Sequence, residues 1–160
     1  MQHYLITNNM KTKIMYIENK SFGHSGPAWI GFVEFSKSGQ TIYCNGKALK
    51  KLKRPEYIAN YFDIETGEEY WVSGIKKNGQ DRHWCGGGKI MLDKNSMDEY
   101  LKLVDFNSID KNHFEIVEFS QTDKSRFNEL ENTETELRDS SFHATFYDNN
   151  RRKLILDTKI

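Results

Sequence analysis

The densest run of reactive side chains in this 160-residue sequence is Gln80-Asp81-Arg82-His83-Trp84-Cys85-Gly86-Gly87-Gly88-Lys89. An imidazole close to a thiol is the pairing that makes a sulfur nucleophile, with the histidine taking the proton. Three successive glycines would expose a row of backbone N–H groups suited to an anion. Extended geometry puts His83 and Cys85 on one face but does not require them to bond, and no third residue consistently orients His83. The glycine run matches neither the phosphate-loop pattern nor the dinucleotide pattern GxGxxG. The reading adopted is a strand that runs out into a glycine loop, with no catalytic residue assigned. Trp71, Arg82, His83 and Trp84 are then candidates for a protein-binding loop.

The other candidates are simpler. His24 lies in the loop Ser21–Pro27 and reads as a solvated histidine. His143 reads as a surface or edge histidine, with no second ligand at a natural offset. Cys44 and Cys85 are far apart, and neither has a second cysteine at metal-finger spacing. No metal and no cofactor is therefore expected. The segment Lys47-Ala48-Leu49-Lys50-Lys51-Leu52-Lys53-Arg54-Pro55 is richer in charge chemistry. Its five basic residues, Lys47, Lys50, Lys51, Lys53 and Arg54, could meet phosphate, with Tyr43, Tyr57 and Tyr61 beside them as stacking platforms. The plainer reading is a solvated strand or helical turn with Leu49 and Leu52 facing inward.

These residues must be placed by a sheet. Tyr61–Trp84 carries two reversals, Thr66-Gly67 and Asn78-Gly79. Asn-Gly is a strong hairpin signal because both residues tolerate positive φ. Tyr70, Trp71 and Val72 favour a pleated surface. An antiparallel meander is expected, with YFDIE and EEYWVSG pairing first and SGIKK and QDRHW second. Before it, Tyr4–Ile6, Lys13–Ile17, Ala28–Phe35 and Thr41–Cys44 read as strands, with a further tight turn at Asn45-Gly46. Both faces of Ala28–Phe35 are apolar, so this strand is expected to be buried on two sides, and Gly31 to allow a bend or close approach. After the meander, Ile90–Leu92 reads as a strand. Ser96-Met97-Asp98-Glu99 reads as a capping box opening a short amphipathic helix to Leu103 or Val104, laid over the open end of the sheet. Phe114–Phe119 is a strand, Asp123–Leu137 a thin-striped helix, and Phe142–Tyr147 with Lys153–Leu156 a hairpin.

The expected fold class is α+β and mostly β: a strongly bent antiparallel sheet or small, partly open barrel with one or two helices packed on it. Residues 1–105 form the barrel-like domain, and 106–160 a strand–helix–hairpin extension on the same core. A chain of this length buries a core without disulfides. Its aromatic and β-branched content excludes a disordered chain. No apolar stretch approaches the roughly 20 residues that span a bilayer, and MQHYLITNN lacks the features of a signal peptide. The cytoplasm, with both thiols reduced, is the expected compartment. Net charge is zero but unevenly spread. Residues 1–56 hold nine basic and three acidic side chains, 57–100 five and eight, and 101–160 nine and twelve. Such a dipolar surface steers partners.

A resemblance adds to this. Met10–Glu18, Gly26-Pro27-Ala28, Phe35–Gly39 with Thr41-Ile42-Tyr43, and Tyr61–Trp71 with Ser73-Gly74 and Lys76–Gly79 resemble a family of short uncharacterised bacterial proteins. The match covers residues 8–104, and 64–79 are its most specific part. It implies a bacterial origin and a shared small domain. Some members carry the label deoxyxylulose-phosphate synthase. That activity implies a far longer thiamine-diphosphate enzyme with a Gly-Asp-Gly segment ending in Asn, which this sequence lacks.

Three function classes follow. The first is a non-enzymatic module that binds a protein partner, as a regulatory or toxin-neutralising protein would. The second is a small barrel that binds nucleic acid through the 47–54 segment. The third is an enzyme using Asp81, His83 and Cys85.

Overall fold

The computed structural model describes residues 11–54 and 58–130. The strand expected at Tyr4–Ile6, Tyr57, His143, the helix beyond residue 130 and the hairpin of Phe142–Leu156 lie outside the described residues. Residues Met1–Asp123 form one compact unit and Lys124–Ile160 another, whereas the sequence reading divides the chain at residue 105. In the second unit, residues 124–130 are helical, within the helix expected from Asp123.

The first unit is mostly β. Six strands, β1 (Thr12–Asn19), β2 (Ala28–Phe35), β3 (Thr41–Cys44), β4 (Lys47–Lys51), β5 (Tyr61–Asp63) and β6 (Glu69–Ser73), pair antiparallel in the order β1-β6-β5-β4-β3-β2. β1 then pairs β2, so the sheet closes into a barrel rather than staying partly open. Closure leaves no free edge among these six strands. Short turns set the register. Asn45 and Gly46 both take positive φ, so Cys44 faces Lys47 across a two-residue reversal. At the β5–β6 hairpin, the buried Asp63 accepts the N–H of Glu65 at 2.8 Å, which folds the Glu65–Gly67 turn back on itself.

Strand parity separates two cores. One face of every barrel strand points inward: Ile17, Val33, Ile42, Leu49, Tyr61, Tyr70 and Val72 are buried together. A six-stranded barrel of this kind is filled by its own side chains. Trp29 and Tyr70 meet there at 6.4 Å. Gly31 lies on this inner face, and a Cβ at that position would overlap the Phe119 ring, which occupies the missing side chain's place. The expected close approach at Gly31 is therefore to an aromatic side chain far along the chain.

The second core lies outside the barrel wall. Ile14, Tyr16, Ala28 and Ile30 point outward from β1 and β2 and are covered by Ile90 and Leu92, Tyr100 and Val104, and Phe114. These come from β7 (Ile90–Asp93), α1 (Met97–Val104) and β8 (Phe114–Val117). This double burial of β2 is what its two apolar faces imply. Each fully buried Leu or Ile contributes about 1.5–3 kcal/mol in such a setting.

The mostly β, antiparallel barrel expected from the sequence is present, and two strands extend it: β7 pairs β2 in parallel and β8 pairs β7 in parallel. Two expectations are corrected. α1 covers the outer wall at β1 and β2, not a barrel end. Ser96 precedes α1 but makes no side-chain cap. Its Oγ accepts Phe32 N–H at 3.1 Å and lies 3.3 Å from Asp93 Oδ2, so the hydroxyl ties the helix start to β2 instead.

Candidate functional site

The chemistry-bearing run does not lie on a strand. No strand forms between Gly74 and Lys89, so the second hairpin of the expected meander is absent. Asn78-Gly79 still reverses the chain, with Gly79 N–H on the Lys76 carbonyl at 3.0 Å. Besides bonds within itself, the segment reaches a second loop, residues 20–27 between β1 and β2.

The link is Arg82. Its guanidinium reaches the Gly26 carbonyl at 3.0 Å, the His24 carbonyl at 3.4 Å and Glu18 Oε1 at 3.4 Å. Glu18 points outward from β1 and is 1 % exposed. Its other oxygen accepts the Tyr16 hydroxyl at 2.7 Å and pairs with Lys20 Nζ at 2.9 Å. A buried carboxylate is tolerable only with such partners. Burial, with Glu18 beside it, pushes the Tyr16 hydroxyl pKa far above its ordinary value. Arg82, a candidate for a protein-binding loop in the sequence, is a half-buried clamp between two loops. Closer to the tips, Gly87 N–H donates to Ser25 Oγ at 3.1 Å, and a Cβ on Gly86 would overlap the His24 carbonyl oxygen.

This clamp brings His24, His83 and Cys85 together. The two imidazoles stack at 4.2 Å with 17° between their planes. Cys85 Sγ lies 2.9 Å from His83 Nδ1, which also accepts Cys85 N–H at 3.3 Å. That nitrogen is then the lone-pair side of the ring, and the thiol is its second donor. Lys20 Nζ approaches His24 Nδ1 at 3.4 Å. One ligand atom from each of His24, His83 and Cys85 falls within 4.8 Å of the others. The sequence weighed His83 and Cys85 as a pair but set His24 apart, because a clamp between two loops, not strand spacing, brings it to them.

Asp81 does not complete a triad. Its Oδ1 accepts Lys76 N–H at 2.8 Å, and its buried Oδ2 has no hydrogen-bond partner among the described residues. Burial raises its pKa above the ordinary carboxyl value, against the lowering effect of Lys76. The folded state therefore holds this proton more tightly than the unfolded chain. The contribution of Asp81 to stability is lost as pH rises through the carboxylate range and stays unfavourable at neutral pH. Asp81→Asn keeps the oxygen that accepts Lys76 N–H and removes the charge. It is expected to raise the urea midpoint at neutral pH and to leave it nearly unchanged in acid.

Two concavities flank His83. One, of about 450 Å³, is lined by Lys20, His24, Trp71, Lys76, Asp81 and His83. The other, of about 460 Å³, has an apolar floor of Ile90, Phe106 and Phe114 and is lined also by Trp84 and His113. His113 Nδ1 meets Asp110 Oδ2 at 2.6 Å on its rim. The hydrogen bonds from Asn112 and His113 hold the Asp110 carboxyl below its ordinary pKa. Trp84 stands out from the surface at 89 % exposure, while Trp71 on β6 is 37 % exposed. The sequence reading missed Glu18, Lys20, Phe106, Asp110 and His113. Glu18 carried one signal, a charge on the same parity as Ile14 and Tyr16.

The basic segment does not present one face. Lys47 and Lys51 share the inward parity of Leu49, and Lys50 points the other way. Lys47 is half-buried and pairs with the buried Asp63 at 3.5 Å. Lys51, Lys53 and Arg54 are exposed. Tyr43 is corrected as a stacking platform, because it is buried at 8 % exposure. Tyr61 is buried in the barrel core.

No family model, curated protein or solved structure matches the chain. Among the described residues, no helix is long and apolar enough to cross a membrane.

Proposed function

We propose that this small β-barrel is a non-enzymatic binding module that recognises another protein through the loop bearing Trp84. The observation that carries the reading is a tryptophan at 89 % exposure beside a groove floored by Ile90, Phe106 and Phe114. Its loop is held by Arg82 and by the packing of Gly86 against residue 24. A large aromatic on a fixed loop loses little freedom on binding, which is why such residues dominate contact energies. The apolar floor selects a partner segment that offers an aliphatic or aromatic side chain. The family of short bacterial proteins resembled by residues 8–104 belongs to the same reading, as the source of a shared domain without an assigned activity.

The test is selection of a displayed random-peptide library on the immobilised protein. Enriched peptides are expected to share an apolar anchor, and Trp84→Ala to weaken them at least about thirtyfold, the scale of a hot-spot residue. Peptides that bind Trp84→Ala and Phe106→Ala as well as the wild type overturn the reading. So does salt-sensitive retention of nucleic acid that Lys50→Glu/Lys51→Glu abolishes, which would favour the basic segment instead.

The contact between Cys85 and His83 at 2.9 Å supports thiol chemistry as a second reading. An alkylation rate for Cys85 that falls sharply in His83→Ala supports it, and an unchanged rate excludes it.

A further inference from the structure

We propose that His24, His83 and Cys85 form a binding site for a borderline-soft divalent cation such as Zn²⁺, with a fourth position open to solvent. The donor set is two imidazoles and a thiolate. This is the chemistry that selects zinc and its neighbours over magnesium or calcium, which need oxygen ligands.

The geometry is close to what a tetrahedral ion needs. Bonds of about 2.0–2.3 Å place neighbouring ligand atoms roughly 3.3–3.8 Å apart. Here the donor atoms all lie within 4.8 Å of one another, and one pair, Cys85 Sγ and His83 Nδ1, is at 2.9 Å. That pair opens, and any wider separation closes, through side-chain rotation of residues that are exposed or half-buried. Each imidazole lone pair lies in its own ring plane. Two rings stacked at 17° do not converge on one ion, so binding tilts them out of the stack.

The backbone beneath is already set. Arg82 holds the carbonyls of His24 and Gly26, Gly87 N–H holds Ser25, and Gly86 admits the His24 carbonyl. These contacts fix the loop that carries His24 against the loop that carries the other two ligands, as supporting contacts around metal ligands do. Glu18 offsets one of the two positive charges nearby, those of Lys20 and Arg82. Because Lys20 Nζ lies 3.4 Å from His24 Nδ1, the ion takes the other nitrogen of that ring or the ammonium turns away. Binding forms a bond from the ion to the sulfur and releases the thiol proton to solvent, so affinity rises with pH.

The test uses the untagged full chain, reduced and freed of metal, titrated with Co²⁺. A saturable one-to-one titration is expected, with a thiolate-to-cobalt band in the near ultraviolet and intense visible bands of four-coordinate cobalt, both displaced by Zn²⁺. Cys85→Ser removes the near-ultraviolet band. His24→Ala weakens binding at least about tenfold, on the scale by which metal-site changes act. Cys44→Ser changes neither, since that thiol lies in the barrel interior. Far-ultraviolet circular dichroism confirms that each variant is folded. Absence of the thiolate band overturns the site. So does an affinity indifferent to His24→Ala, which would mark a simple surface His-Cys pair. Cys85→Ser, which removes the thiolate band, is expected to leave the selected peptides bound, so this result stands or falls separately from protein binding.

Discussion

Replacing Glu18 with alanine is expected to cost about 3–5 kcal/mol of folding stability, the cost of leaving a buried partner charge uncompensated. The carboxylate takes the Tyr16 hydroxyl, the Lys20 ammonium and the Arg82 guanidinium together. The side chains of Lys20 and Arg82 are 6 % and 10 % exposed, so neither cation can turn to water without opening the loops. Removing the anion strands both. Urea denaturation measures the effect. A double-mutant cycle that also replaces Lys20 with methionine separates the pair from its packing, and should return a coupling of roughly 0.5–3 kcal/mol. A loss below about 1 kcal/mol for Glu18→Ala would show that water already reaches the network.

Gly86→Ala is the second large effect, and it is local. The new Cβ would meet a backbone carbonyl, that of His24, and not a side chain that can swing away. The two loops must part. Gly87 N–H then loses Ser25, and the guanidinium of Arg82 loses its hold on the His24 carbonyl. The barrel core is built from β1–β6 and does not include this loop. Thermal unfolding is expected to shift downward, by less than in Glu18→Ala because Lys20 and Arg82 keep their pairing with Glu18, while the ring-current signature of stacked His24 and His83 disappears from the NMR spectrum. Cobalt affinity is expected to fall by about 10–100-fold, as when the supporting contacts of a metal site are lost. An alanine variant that keeps both the stack and the affinity would mean the loops are not packed as closely as described.

The elements that were legible in the sequence share a local cause. Ala28–Phe35 and Thr41–Cys44 read as strands from their β-branched and aromatic content, and they are strands over those residues. Asn45-Gly46 reverses the chain because both residues accept positive φ. Met97, Tyr100 and Val104 keep helical spacing, and α1 follows. Where the reading failed, a distant partner had overruled a local rule. Asn78-Gly79 turned the chain, but the flanking segments found no strand to pair with, because Lys76 and Asp81 bonded each other and Arg82 bonded a different loop. Ser96 gave up its cap to hold Phe32. Tyr43 looked available beside five basic residues, yet it is buried.

The sequence by itself determined the local reversals, the strands rich in β-branched and aromatic residues and the mostly β character, since these depend on φ preferences and side-chain shape within a few residues. Only the tertiary structure decided that β1 closes on β2, that β7 and β8 run parallel, and that His24 meets His83 and Cys85. The physical reason is that these outcomes rest on contacts between residues far apart in the chain. The two loops are joined by Arg82 on backbone carbonyls, and a carbonyl carries no trace in the residue letter.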